Sequence, residues 1–264
     1  YGRHFEVIER YGVTNYYTAP TLIRSLMGAF PDGPEPGKYD FSSVRLLGSV
    51  GESINPQAWK WLRKHVGGGT ASFIDTWWQS ETGSTICSPR PHDPAFAPEG
   101  TFPEGTPHCT ALPGCATREV PGVSVRVVDE HGDFVEPGKQ GFIVVDKIGP
   151  SMARTVWGDP QRYLNSYWKH YGTRGWFLAG DGAKVDDEGN VYILGRIDDV
   201  INISGHRLST IEIESALVTH PAVVEAGVCP VEDELTGHQA VAYVTLTDEG
   251  RALTEDELKT ALTQ

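Results

Sequence analysis

Several features are scarce in this chain of 264 residues, and each scarcity excludes a class of protein. The only cysteines are Cys87, Cys109, Cys115 and Cys229, and their spacing fits neither a zinc knuckle nor a disulfide framework, which predicts a reducing compartment. No run approaches the roughly 18 apolar residues that cross a membrane, and no secretory signal peptide is visible. We therefore expect a cytoplasmic location.

Basic residues are also scarce, with 22 Lys and Arg against 35 Asp and Glu. The resulting formal net charge of −13 argues against nucleic acid or an anionic membrane as a partner, because both need clustered positive charge. A small anionic ligand stays compatible with this charge, since one arginine or one helix N-terminus can hold it.

Familiar catalytic and phosphate-binding motifs are missing too. The segment "HVGGGTAS" (65–72) lacks the Gly-Lys-Ser/Thr ending of a phosphate loop. The segment "GSVGES" (48–53) is not a serine-hydrolase elbow, because its serine directly follows the first glycine. The acidic segments 129–133 and 186–190 lack the ligand spacing of a calcium loop, so we predict turns between strands there.

The composition that remains is that of an ordinary globular protein, with 39% hydrophobic and 22% charged residues. Residues 1–88 alternate between helical and strand patterns, with helices predicted at 3–11, 21–30 and 55–66, and strands within 13–19, 44–51 and 72–77. This alternation predicts a parallel α/β sheet, whose ligands bind beyond the carboxyl ends of the strands.

The rest of the chain changes character twice. Residues 89–121 are rich in Pro and Gly and are predicted to be irregular, and residues 122–198 are predicted to form a β-rich subdomain. Residues 199–264 are predicted to form a small α+β domain, separated at Asp198, with a capping box at 254–257 that opens its last helix. The chain starts without Met and stops within that helix, so we expect an internal piece of a longer protein.

Four polar runs stand out: "GSVGES" (48–53), "DTWWQSETG" (75–83), "FLAGDGAK" (177–184) and "GRIDDVINISGHRLS" (195–209). They offer an aromatic platform (Trp77, Trp78), a hydroxyl for phosphate (Ser80), a carboxylate for Mg²⁺ (Glu81), a carboxylate for ribose hydroxyls (Asp181) and two arginines for phosphate (Arg196, Arg207). Each feature alone has a structural explanation, because paired tryptophans usually lie in a core, an Asp in Gly-Asp-Gly usually lies in a turn, and a lone Arg is usually a surface charge.

Together with "YLNSYW" (163–168), these runs resemble the acetyl-CoA synthetases, a family of the acyl-adenylate-forming (ANL) superfamily. The similarity covers nearly the whole chain, except residues 89–110. It implies a partial ANL fold and an AMP-forming acid–thiol ligase with ATP, CoA and Mg²⁺. In that reaction acetate and ATP give acetyl-AMP and pyrophosphate, and the thiol of CoA then displaces AMP to give acetyl-CoA.

The resemblance also implies roles for individual residues. Val50 and Trp78 are assigned to the acyl pocket, Ser204 and Gly205 to CoA, and Asp198 to the hinge. Glu81 is assigned to a metal that binds with ATP, and Val218, His220 and Val223 to a separate metal position. The residues assigned to ATP and AMP are Gly51, Glu52, Ser53, Asp75, Thr76, Trp77, Trp78, Gln79, Ser80, Asp181, Arg196 and Arg207. Trp77 is expected near adenine, whereas Trp78 is expected to close the acyl pocket opposite Val50. Ser53 and Ser80 depart from the family, which usually has Pro and Thr there.

Two alternatives stay open at this point. A propionyl-CoA or other short-chain acyl-CoA synthetase is one, because excluding a single methylene discriminates only about 10- to 200-fold. The family's phosphate loop and catalytic lysine lie outside this chain, so we expect the chain to be inactive alone, and a non-catalytic nucleotide-binding or assembly module is the other. The expected partners are small-molecule substrates, with no nucleic acid and no membrane, and a homo-oligomer is left open.

Overall fold

A computed structural model of the chain describes residues 1–90, 111–197, 200–203, 206–233, 237–248 and 250–262. The chain divides into two compact units, Tyr1–Ile193 and Leu194–Gln264, which are described separately below. The boundary predicted from the sequence is at Asp198, which lies outside the described residues. Within the described ranges, no helix has the length and apolar character needed to cross a membrane.

The first unit begins with a three-stranded parallel sheet of order β1-β2-β3. Its elements are, in chain order, α1 (Arg3–Tyr11), β1 (Asn15–Thr18), α2 (Pro20–Ala29), β2 (Leu46–Ser49), α3 (Pro56–His65) and β3 (Ser72–Asp75). Gly12 ends α1 in the left-handed conformation, and the Asn55 side chain opens α3 by accepting a hydrogen bond from Ala58 N at 2.8 Å. The predicted alternation of helix and strand is confirmed.

The helices and the parallel sheet share one apolar core. Its fully buried members include Phe5, Ile8, Ile23, Leu26, Leu47, Leu62 and Phe73. Because this core fixes the three strands in register, the carboxyl ends of β1, β2 and β3 meet at one edge of the sheet.

A five-stranded antiparallel sheet follows, in the order β4-β8-β7-β6-β5. Its strands are β4 (Cys115–Thr117), β5 (Ser124–Val128), β6 (Gln140–Lys147), β7 (Phe177–Val185) and β8 (Val191–Arg196). The two acidic turns form as predicted, because Asp129 Oδ1 accepts from His131 N and Asp186 Oδ1 accepts from Asn190 N, both at 2.8 Å.

Two elements of this part of the chain, one strand and one helix, differ from the sequence prediction. The strand β4 lies inside the segment 89–121 that we predicted to be irregular, because three residues are too short for an alternating pattern to be visible. A helix that was not predicted, α4 (Pro160–Tyr163), begins where Asp159 accepts a hydrogen bond from Arg162 N and continues as a π-helical stretch over Leu164–Trp168.

The second unit contains a four-stranded antiparallel sheet of order β10-β9-β12-β11. Its strands are β9 (Val200–Ile203), β10 (His206–Ser209), β11 (Val223–Asp233) and β12 (Gly237–Leu246), with helices α5 (Thr210–Leu217) and α6 (Glu255–Leu262). The predicted capping box forms at the start of α6: Glu257 Oε2 accepts from Thr254 N at 2.8 Å, and Thr254 Oγ1 accepts from Glu257 N at 3.3 Å. The strand β10 was not predicted.

Candidate functional site

A buried hydroxyl–carboxyl pair lies at the carboxyl ends of β2 and β3. Ser49 and Asp75 are partners in register, and Ser49 Oγ donates to Asp75 Oδ1 at 2.8 Å. Both residues are buried, because Ser49 is 0% exposed and Asp75 is 5% exposed. Burial raises the pKa of Asp75 to about 7, against the opposing effect of the hydrogen bond from Ser49. Perturbed carboxyl groups at this edge of a parallel sheet are typical of functional sites.

The two adjacent tryptophans after β3 have opposite environments. Trp77 is 5% exposed and packs in the core with Ile86 and Cys87, whereas Trp78 is 42% exposed. Backbone hydrogen bonds between Trp77 and Cys87 hold this segment extended. Because successive side chains of an extended segment point to opposite faces, one indole is buried and the next is exposed.

Asp181 lies at the centre of a small polar cluster. Its Oδ2 accepts hydrogen bonds from Trp77 Nε1 at 2.8 Å and from Gln79 Nε2 at 2.7 Å. Asp181 is only 6% exposed and lies within β7, so the turn that is usual for Gly-Asp-Gly is not what the chain forms here. The structure thus brings together three predicted site residues from segments about 100 positions apart in sequence.

The loop that carries Gln79 is fixed by a buried threonine. Thr82 is 0% exposed; its Oγ1 donates to Gln79 O at 2.8 Å and accepts from Gln79 N at 2.9 Å. Ser151 Oγ donates to Thr82 O at 2.8 Å. Gly83 has φ of +67°, and a Cβ there would lie 2.2 Å from Ser151 O, so only glycine fits.

Glu81, the predicted metal carboxylate, is anchored in the same loop. The hydroxyl of Tyr167 donates to Glu81 Oε1, and Ala153 N donates to Glu81 O at 2.7 Å. The ring of Tyr167 stacks on Phe177 with centroids 5.0 Å apart and planes 10° apart. Ser80, between Gln79 and Glu81, is exposed.

The loop after β2 contains three successive predicted site residues, Gly51, Glu52 and Ser53. Gly51 has a φ of +95°, which favours glycine. Glu52 serves as a cap for α2 from outside that helix, because its Oε1 accepts from Thr21 N at 2.8 Å and its Oε2 pairs with Arg24 Nη2 at 3.2 Å. Ser53 Oγ donates to Ile193 O at 2.6 Å, a bond that the proline usual in the family cannot make.

The outer residues of this edge, Val50 and Thr76, are both partly buried. Thr76 Oγ1 donates to Ser49 O at 3.2 Å and also bonds to the hydroxyl of Tyr17. Val50 N donates to Thr18 O at 3.1 Å. The three strand ends are therefore linked by hydrogen bonds from β1 through β2 to β3.

The remaining predicted residues belong to the second unit. Arg196 is exposed at the end of β8, and Arg207 lies in β10, in register with Asn202 of β9. Asp198, Ser204 and Gly205 lie outside the described residues.

The predicted second metal position lies just after α5. His220 Nδ1 accepts from Ala222 N at 3.2 Å, and His220 O accepts from Val223 N at 3.0 Å, while Val218 follows the last residue of α5. In the described part of the chain, no group of three or more His, Cys, Asp or Glu side chains is arranged to hold a metal ion.

Two protein-family models match this chain and identify its family. The family model "AMP-binding enzyme" matches residues 2–157, and the model "AMP-binding enzyme C-terminal domain" matches residues 212–264. The chain belongs to the AMP-binding enzyme family. The first matched region contains the runs 48–53 and 75–83, and the second contains the predicted metal position at Val218, His220 and Val223, so the resemblance drawn from the sequence is confirmed.

Curated members of the AMP-binding family supply closer relatives. The chain is 49% identical over 92% of its length to the acetyl-coenzyme A synthetase of Mycolicibacterium smegmatis, of which it covers 25%. It is 48% identical over 92% of its length to that of Mycobacterium tuberculosis and over 97% to that of Streptomyces avermitilis, covering 36% of each. The chain thus spans about a quarter to a third of the length of these relatives.

A solved structure of an AMP-binding enzyme supports the fold. The anthranilate CoA ligase AuaEII, determined in complex with anthranoyl-AMP, superposes with a TM-score of 0.77 at 24% sequence identity. The alignment covers 99% of this chain and 44% of the ligase. Together with the two family matches, this superposition confirms the predicted fold class, a partial ANL fold.

Several residues of the site were missed by sequence analysis. Ser49, Thr82, Ser151 and Tyr167 hold the predicted residues, but none was assigned a role. Tyr167 lies in the run "YLNSYW", which contributed to the resemblance, so a signal for it was present. Ser151 had none, because it contacts the loop only through the tertiary fold.

Proposed function

We propose that the protein is an AMP-forming acetate–CoA ligase, and that the residues around Asp181 hold its adenosine nucleotide. In the first step, a carboxylate oxygen of acetate attacks the α-phosphorus of ATP, and pyrophosphate leaves. In the second step, the thiolate sulfur of CoA attacks the acyl carbon of acetyl-AMP, and AMP leaves. The proposal is supported by the relatives that share 48–49% identity with the chain, which are named acetyl-coenzyme A synthetases.

The observation that carries the proposal is the cluster of Trp77, Gln79 and Asp181. A buried carboxylate with an ordered hydrogen-bond shell is suited to accept hydrogen bonds from ribose hydroxyls, because its orientation is fixed before the ligand arrives. We propose that the adenine lies on the side of Trp77, bordered by the loop of Gly51, Glu52 and Ser53.

The acyl group is proposed to lie between Trp78 and Val50. The 42% exposure of Trp78 supports this proposal, because an indole that the core does not use is available to a ligand. A full indole across a narrow pocket leaves room for little more than a methyl group, which favours acetate over longer acids.

Thr76 and Ser80 are proposed to bind phosphate oxygens through charge-assisted hydrogen bonds. In the second unit, Arg196 and Arg207 are proposed to bind the nucleotide, on the motif alone. Ser204 and Gly205 are proposed for CoA, and Asp198 for the hinge, on the motif alone. The carbonyl oxygens of Val218, His220 and Val223 are proposed for a separate metal position.

Glu81 fits a magnesium ion that enters together with ATP. Mg²⁺ is usually bound by one or two carboxylates plus substrate phosphates, so a single anchored carboxylate is a sufficient protein contribution. When bound, the ion neutralises part of the negative charge that repels the attacking carboxylate. Tyr167 orients the carboxylate by donating to Glu81 Oε1. A cytoplasmic location belongs to the same proposal.

Calorimetric titration of the chain with AMP tests the nucleotide site directly. We expect binding, and we expect Asp181→Asn to weaken it about 10- to 100-fold, because hydrogen bonds to a charged group are lost. Asp187→Asn, the same change in an exposed turn, is the matched control and should leave binding unchanged. Equal affinities for the wild type and Asp181→Asn refute the assignment.

The acyl-transfer chemistry needs a second experiment. Acetate-dependent exchange of labelled pyrophosphate into ATP reports formation of acetyl-AMP. Stimulation of the exchange by acetate, and not by butyrate, is the expected result for a longer protein that also carries the family's phosphate loop and catalytic lysine, because this chain alone is expected to be inactive. In that longer protein, binding of AMP without any stimulation by a carboxylic acid favours a nucleotide-binding module in place of a ligase.

A further inference from the structure

We propose that Gln79 is a positioning residue, which holds the Asp181 carboxylate in the orientation that binds the ribose. The inference rests on the proposed function, because it takes Asp181 as the ribose-binding group. It differs from a direct contact between Gln79 and the nucleotide. Both donor directions of the Gln79 amide nitrogen are already used within the protein, on Ala179 O and Asp181 Oδ2.

The backbone around Asp181 is irregular, and this irregularity makes an additional support necessary. In the ladder between β6 and β7, Phe142 pairs with Gly182 and Val144 pairs with Leu178. Three residues of β7 therefore lie opposite the single residue Ile143, which defines a bulge. Gly180, at its centre, has a φ of +76°. Bulges change the direction in which nearby side chains point, and this one bends β7 next to Asp181.

Gln79 compensates for the ladder bonds that the bulge disturbs. Its Nε2 donates to Ala179 O at 2.8 Å and to Asp181 Oδ2 at 2.7 Å, so one amide group ties the backbone of the bulge to its carboxylate. The orientation of the amide is determined, because flipping it would place Oε1 against two acceptors. Oε1 itself is buried, with no hydrogen-bond partner among the described residues.

Gln79 is itself rigidly held. Thr82, fully buried, accepts from Gln79 N and donates to Gln79 O, which closes the loop on both sides of its backbone. Trp77 supplies the second donor to Asp181 Oδ2 from the adjoining segment. A carboxylate oxygen held by two donors from one stiff loop has little rotational freedom, which is the requirement for selective recognition of a hydroxyl.

The test measures recognition of ribose and not affinity alone. AMP, 2′-deoxy-AMP and 3′-deoxy-AMP are titrated into the wild type, Gln79→Met and Asp181→Asn. Methionine has nearly the length of glutamine but no donor. The matched control is Gln161→Met, the same change on a helical residue whose Nε2 bonds to Asn165 Oδ1 at 3.0 Å.

We expect the wild type to prefer AMP over at least one deoxynucleotide, and Gln79→Met to reduce that preference about 10-fold. Affinity for the deoxynucleotide should change less than about twofold, because the lost contact acts on the missing hydroxyl. The double variant Gln79→Met/Asp181→Asn should have no lower preference than Asp181→Asn alone, since both residues act through one carboxylate. Gln161→Met should match the wild type.

Two outcomes overturn the inference while leaving the proposed function intact. One is an equal loss of affinity for AMP and both deoxynucleotides in Gln79→Met, which indicates a general structural role or a direct adenine contact. The other is an unchanged preference. A wild type that binds no adenosine nucleotide refutes the proposed function, and this inference with it.

A second variant keeps the test decisive if Gln79→Met unfolds. Gln79→Glu has the shape of glutamine but replaces the donor with a negative charge beside Asp181, so it should also lose the preference for AMP. Its fold is checked by circular dichroism. Retention of the wild-type preference in folded Gln79→Glu contradicts the inference.

Discussion

The buried carboxyl group of Asp75 makes the stability of this protein depend on pH in a predictable direction. Burial raises its pKa from the ordinary 3.8 to about 7, because ionisation away from water is costly. In the unfolded chain the group ionises from about pH 4 upward, whereas in the folded chain it stays protonated up to about pH 7. Unfolding between these values releases a proton, so the stability that Asp75 contributes is present below pH 4 and is lost as the pH rises to about 7.

The magnitude follows from the same two pKa values. At roughly 1.4 kcal/mol per pH unit, the full loss between about pH 4 and pH 7 amounts to up to about 4 kcal/mol. Asp75→Asn removes the titration, although it adds a constant cost by disturbing the bond with Ser49 Oγ. The stability of the variant relative to the wild type should therefore rise by up to about 4 kcal/mol across this window.

Urea unfolding, followed by tryptophan fluorescence at several pH values between about 4 and 8, measures this difference. Asp40→Asn is the control, because Asp40 is exposed and the hydrogen bond from Ser42 N lowers the pKa of its carboxyl. The stability from Asp40 is present above pH 4 and is lost below it, so the difference between this variant and the wild type should be flat in the measured window. A difference for Asp75→Asn that is also flat refutes the assignment of a buried, protonated carboxyl group.

Three further outcomes are expected. Trp78→Gly should open the acyl pocket, so the affinity for the butyl ester of AMP should rise at least about 10-fold relative to the ethyl ester in competition titrations. An unchanged ratio of the two affinities refutes the role of Trp78. Tyr167→Phe should lower the free energy of unfolding by about 1 kcal/mol by removing the donor to Glu81 while keeping the stack on Phe177, and a urea midpoint equal to that of the wild type contradicts this contact. Gly83→Ala should be destabilising by more than about 1 kcal/mol, since its φ is positive and its Cβ meets Ser151 O, whereas Gly12→Ala, also at positive φ but with open space, should cost less.

The elements that local patterns describe were predictable from sequence. Five local features formed as expected, because each depends on residues within a few positions of one another. They are the end of α1 at Gly12, the start of α3 after Asn55, the turns at Asp129 and Asp186, and the capping box at Thr254. Strand β4 and helix α4 were missed, since short elements are stabilised by tertiary packing more than by their own sequence pattern.

The candidate site divides in the same way. The sequence by itself determined the family, the reaction class to propose, and the residue types offered at the ends of the strands, because long motifs in a fixed order carry that information. Only the tertiary structure decided that Trp77 is buried and Trp78 exposed, and that Gln79 and Asp181 meet across about 100 residues of chain. Such contacts depend on how the segment from 75 to 84 packs against a bulged strand, and no local pattern encodes a distance between two segments so far apart.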